Sequence, residues 1–186
     1  MTIPSIVQEF SASEYIKDSN KITYGEDLEK AYAIFTKNPT KTLTFFPLRH
    51  DGSIFHLIIE GTVQSNGIIQ NETYLTHAFC FEPIDPNETK SLEDLGDEVF
   101  KRYPWIMEDF EYTSMVKKDK LWIKCKVQNG AYTFKHPFTT HLKKTLNFPI
   151  TADQPLRLTT KLSAYVDWEK KTYGCCLNLL KIDLVN

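Results

Sequence analysis

No apolar run in this chain approaches the roughly 18 residues that a membrane-crossing helix needs, so no membrane association is expected. The opening residues, MTIPSIVQEFSASEYIK, carry acids early and lack a sustained apolar core, which argues against a signal peptide. The expectation is an intracellular protein of cytoplasm or nucleus that is not secreted. Only four cysteines occur, Cys80, Cys125, Cys175 and Cys176, and in a reducing compartment free thiols are expected rather than two disulfides. Cys175 and Cys176 are neighbours, so strand alternation predicts one in the core and the other exposed or half-exposed.

Signatures of chemistry are missing too. The chain contains no GxxxxGK[ST], GxGxxG, GxSxG or HExxH. A zinc site can be sketched from Cys125, His136, His141 and Cys175, yet no CxxC pair exists and His136 and His141 sit in a loop without a paired knuckle. No metal and no cofactor are therefore expected. A Cys–His nucleophile pair is unconstrained by spacing. The acids Glu93, Asp94, Asp97 and Glu98 read as a solvated helix face rather than a metal cluster. A non-enzymatic role is favoured.

What is present points to a strand-rich fold. The chain has 186 residues, enough for one sizeable core, and 13% of them are aromatic, with twelve Phe and nine Tyr. The formal net charge of −2 conceals an asymmetry: residues 1–112 hold 9 Lys and Arg against 19 Asp and Glu, while residues 113–186 hold 13 against 5. Such a split, −10 then +8, points to nucleic-acid contact, or to two halves that neutralise each other across one fold.

Along the chain, residues 11–37 read as helical, with Ser11 or Ser13 as a cap, Leu28, Ala31, Tyr32 and Phe35 on one face, and Asn38-Pro39 as the stop. Strands are expected over 41–50, 53–64 and 68–83. Asp51-Gly52 and Asn66-Gly67 would turn between them to make an antiparallel meander. A capping box at Ser91 and Asp94 marks a helix carrying Leu92, Leu95, Val99 and Tyr103, closed by Pro104. KLWIKCKVQ alternates, with Leu121, Ile123, Cys125 and Val127 inward. Asn129-Gly130 turns the chain, and residues 136–155 form a long irregular connection. The last thirty-two residues, 155–186, read as two long strands joined by a short charged turn, a terminal hairpin. Its first strand has Leu156, Leu158, Leu162, Ala164, Val166 and Trp168 on one parity, broken only by Thr160. After Tyr173-Gly174 the parity shifts, placing Leu180, Ile182 and Leu184 together. That predicts a bulge or a strand buried on both faces.

The outward positions carry the functional signal. Trp122 lies among Lys120, Lys124 and Lys126, and Tyr165 follows Arg157 and Lys161 on one strand face. A positive groove with aromatic platforms is how sequence-tolerant single-strand binders work, each base stack being worth about 1–3 kcal/mol. In the ordinary alternative, Trp122 packs under helices while the lysines snorkel around it. The order of elements fits a mainly β (α+β) chain. It implies an OB-like antiparallel barrel with inserted helices and long loops, one domain over 1–186, decorated by the N-terminal helix and an acidic insertion, 85–111.

LWIKCKVQ, a loop, LRLTTKLSAYVDW and then EKKTYGCCLNLLKIDLV resemble the end of the OB-fold single-stranded-DNA-binding proteins of tailed phages and large DNA viruses. The resemblance covers about residues 115–186, and Trp168 with Tyr173-Gly174 is its motif-like part. It implies sequence-nonspecific binding in DNA replication or recombination. Many such proteins recruit replication partners through an acidic tail. Ile182-Asp183-Leu184-Val185-Asn186 is not one, which moves that contact to the acidic segment 85–111. The expected phosphate contacts are Lys124, Lys126, Lys143, Lys144, Arg157, Lys161, Lys170 and Lys171; the expected stacking residues are Trp122, Tyr132, Phe134 and Tyr165. DNA and RNA are both open, since a 2′-hydroxyl contact is a matter of geometry. The alternative is a β-rich protein–protein interaction module.

Overall fold

The computed structural model describes residues 7–25, 27–40, 42–71, 76–117, 120–126 and 155–185, with 63–71, 76–80, 117, 120 and 122–126 in backbone alone. It is a strand-rich α+β protein. Its elements are β1 (Gln8–Phe10), α1 (Ala12–Lys17), β2 (Ile22–Tyr24), α2 (Leu28–Lys37), β3 (Leu43–His50), β4 (Phe55–Asn71) and β5 (Thr76–Pro83). There follow α3 (Pro86–Phe100), α4 (Pro104–Asp109), β6 (Glu111–Thr113), β7 (Val116–Lys117), β8 (Lys120–Lys126), β9 (Leu156–Asp167) and β10 (Thr172–Leu184).

The ten strands join in one sheet whose main path is β1-β4-β5-β8-β10-β9-β3-β2. In addition β4 pairs with β9, so the ladders β4–β5, β5–β8, β8–β10, β10–β9 and β9–β4 form a circuit of pairings. All are antiparallel except β8–β10. The centre of this arrangement is β9. One edge of it is taken along its length by β10. The other is shared, β3 covering Ser163–Asp167 and β4 covering Leu156–Thr160.

This sharing corrects the expected meander. Asp51 and Gly52 do turn the chain with positive φ (50° and 80°), closed by reciprocal His50–Ser53 backbone hydrogen bonds of 2.9 Å. The strands on either side then part, because β3 and β4 lie end to end along β9 rather than side by side. Pro47, the last β3 residue paired to β9, has no N–H with which to extend that ladder. Asn66-Gly67 does not reverse the chain either. β4 runs on through both residues, and a register shift between Val63 and Ile68 against β5 absorbs the surplus as an irregularity.

The helices are shorter and differently started than expected. Residues 11–37 divide into α1, a 3₁₀ turn at Ser19–Lys21, β2 and α2, because Ile22-Thr23-Tyr24 pairs with His50-Arg49-Leu48. Ser11 closes a capping box with Glu14, and Asp27 caps α2. The cap of α3 is Asp85, six residues before Ser91, with Pro86 in the first turn. Pro104 opens α4 instead of closing α3. Leu92, Leu95 and Val99 are buried on α3, as their spacing predicts, while Tyr103 lies beyond the end of α3 at the start of α4; all four are in one buried cluster with Phe46, Leu57, Phe81 and the inner row of β9.

That inner row is fully buried, and Thr160 joins it by donating its hydroxyl to the Leu57 carbonyl at 3.0 Å. From Tyr173 to Leu177, β10 is buried on both faces, so both Cys175 and Cys176 are inside. The expected exposed cysteine is thus corrected. The register of β10 slips between Leu179 and Lys181. Ile182 turns inward while Leu180 and Leu184 stay exposed, so the three do not share a buried face.

Candidate nucleic-acid interface

Strand alternation gives β9 an outer row of Arg157, Thr159, Lys161, Ser163, Tyr165 and Asp167, all of them exposed or half-buried. Its chemistry changes along the row. Arg157 donates from Nε (2.9 Å) and Nη2 (2.7 Å) to Glu60 Oε1, and its register partners are Glu60 on β4 and Asp183 on β10. Glu60 first, then Asp183 and Glu9, favour its charged form. A phosphate at Arg157 therefore competes with carboxylates already in place. Lys161, four residues on, is exposed and makes no ion pair among the described residues.

Lys161 stands in register with Asn178 on β10, and Asn178 with Lys124 on β8. The two basic strands singled out by sequence thus flank β10, roughly 10 Å apart at about 4.8 Å per strand step. Lys124, Trp122 and Lys126 pair with Ala78, Cys80 and Thr76 of β5. Leu121 is buried, so positions 122, 124 and 126 fall on the other face of β8. The amide oxygen of Asn178 is buried without a hydrogen-bond partner among the described residues.

Tyr165 is half-buried. Burial, more than any neighbouring charge, pushes its phenol pKa up, while the Thr113 side chain hydrogen-bonds it. Gly174 is its register partner on β10, and a Cβ there would meet the Thr113 carbonyl and the Tyr165 ring together. On the other side lies Phe45 of β3, also in register, with ring centroids 6.1 Å apart. Sequence reasoning missed Phe45. Its signal was the pair Phe45-Phe46: adjacent strand residues face opposite ways, and Phe46 is buried while Phe45 is 51% exposed.

Lys170 and Lys171 are exposed on the β9–β10 turn. There the Asp167 carboxylate accepts from the Glu169 (3.1 Å) and Lys170 (3.0 Å) backbone N–H groups, and Lys171 takes φ 54°. They stand about 20 Å from the Lys161 row, six or more residues along β9. Trp168 before them is buried, its indole N–H donating to Thr44 at 2.8 Å. It stacks parallel to Trp105 at 6.3 Å beside Tyr32, Phe35 and Phe110, which ties the turn to α2 and α4. It is a structural anchor.

Tyr132, Phe134, Lys143, Lys144, His136 and His141 lie outside the described residues. Among the described residues no His, Cys, Asp or Glu cluster could hold a metal. No described helix is long and apolar enough to cross a membrane. The acidic insertion is α3 and α4, with Glu93, Asp94, Asp97, Glu108 and Asp109 exposed. Compared with protein-family models, curated proteins and solved structures, the chain matches none.

Proposed function

We propose that the protein binds single-stranded nucleic acid, DNA foremost, with little sequence preference, and that the five-strand circuit is an OB-like barrel. The observation that carries the reading is the row Lys124, Asn178, Lys161 across β8, β10 and β9, with position 122 on the same face of β8 as Lys124. The pairing order supports the barrel. The first strand of the circuit pairs with the second and the fourth, and the third runs parallel beside the fifth. In such folds the faces of strands two and three and the turn between strands four and five hold oligonucleotides. Those elements are β5, β8 and the Lys170–Lys171 turn. The proposal is of a non-enzymatic protein acting inside a cell, in replication or recombination of viral or phage type, with the exposed acids of α3 and α4 available to replication proteins.

Quenching of intrinsic fluorescence by single-stranded DNA tests it. Loss of the quench in Trp122→Ala, with Trp105 and Trp168 as the residual signal, supports the reading. Unchanged DNA affinity after Lys124→Glu with Lys126→Glu sinks it and favours a protein-interaction module.

A further inference from the structure

We propose that Phe45 and Tyr165 form a second stacking platform, which carries the single strand beyond β8 and across the outer face of β9 and β3. The inference rests on the nucleic-acid reading above. Phe45 is 51% exposed, more than any other aromatic whose side chain is described, and it stands on a strand whose next residue fills the core. A lone exposed ring would need no explanation, but with the half-buried Tyr165 ring beside it Phe45 makes a two-ring patch on the outer face of the sheet. Such a patch suits a planar occupant. The Tyr165 ring lies 6.1 Å away at 50°, and Thr113 and the close backbone of Gly174 fix its position.

The charge beside the platform selects a polyanion. Four residues along the same face is Lys161, about 13 Å away by strand rise, or roughly four steps at the 3.4 Å spacing of stacked DNA. Between them stands the small Ser163, opposite Pro47. The nearest acid on the row, Asp167, is turned to the N–H groups of its own turn. A strand leaving Lys124 thus crosses Asn178 to Lys161 and lays a base on Phe45. An apolar peptide would use the rings and leave Lys161 idle.

Anisotropy of fluorescein-labelled oligo-dT of increasing length tests the proposal. Affinity of the unaltered protein rises with length until the strand reaches Phe45. In Phe45→Ala that gain disappears, a loss of roughly five- to 150-fold for one base stack, while the shortest oligomers bind as before. Phe45→Trp restores it. Phe45 is exposed, so the fold survives, and the buried Trp168 reports that independently. If Phe45→Ala matches the unaltered protein at all lengths while Trp122→Ala weakens binding, the platform is overturned and the functional reading stands. If no oligo-dT binds, both fall. If only self-association in sedimentation responds to Phe45→Ala, the patch docks protein and the proposal is overturned.

Discussion

Removing one carboxylate should unfasten the N-terminal helix from the body of the protein. Glu88, in the first turn of α3 and only 8% exposed, reaches back 76 residues: Oε2 accepts from the Ala12 backbone N–H at 2.8 Å. Its Oε1 accepts from the Ser13 N–H at 3.3 Å and the Ser13 hydroxyl at 2.7 Å. These are donors at the first turn of α1, which that helix cannot satisfy itself. A hydrogen bond to a charged group is worth about 1.5–3 kcal/mol, and a buried donor left alone costs about 1–3. In Glu88→Ala the two effects overlap at Ala12, which is 1% exposed, so the expected loss is about 3 kcal/mol. For a chain of this size that lowers Tm by about 6–12 °C. Urea unfolding followed by tryptophan fluorescence measures it. Glu88→Gln, which keeps one acceptor, should lose about half as much, and Ser13→Ala less than about 1 kcal/mol. A Glu88→Ala protein within about 0.5 kcal/mol of the original, the range of an ordinary surface change, would show that these hydrogen bonds do not hold α1 in place.

Two further outcomes follow from the same geometry. Burial pushes the phenols of Tyr24 and Tyr112 from an ordinary 10 up to about 12. The unfolded chain therefore loses these protons first. Their contribution to stability is complete below pH 10 and declines as pH rises towards 12, so ultraviolet titration should show them ionising late and urea midpoints should drop across that window. Glu60→Gln frees Arg157 from its carboxylate, which should tighten binding to oligo-dT and steepen the log–log salt slope by about 0.7. An unchanged slope shows that Arg157 lies off the path of the strand.

What could be read from the sequence was whatever a single strand or helix decides locally. The inner row of β9 was legible because its two parities differ in polarity, and Thr160 breaks the pattern only by finding a carbonyl. Leu92, Leu95 and Val99 were legible by helical spacing. Features decided by distant partners were not. Asn66-Gly67 is a strong local turn signal, yet the β5 ladder holds it in a strand. Pro47 looks like an ordinary strand residue until β9 is placed beside it. Arg157 reads as a phosphate ligand in its own strand, and only the arrival of Glu60 from 97 residues away occupies it. One of Cys175 and Cys176 reads as exposed or half-exposed by alternation, but β10 is covered on both faces at that point. The proposed site divides the same way. The sequence pointed to β8 and β9 separately, while their common neighbour β10, the Asn178 row and Phe45 needed the sheet.

Salt dependence of oligo-dT binding reads out phosphate contact by the basic face. With Lys161, Lys170, Lys171 and the lysines at 124 and 126 neutralising three to five phosphates, log affinity should fall linearly with log salt, with a slope between about −2 and −3.5. An absence of binding at micromolar protein, or binding indifferent to salt, contradicts the account.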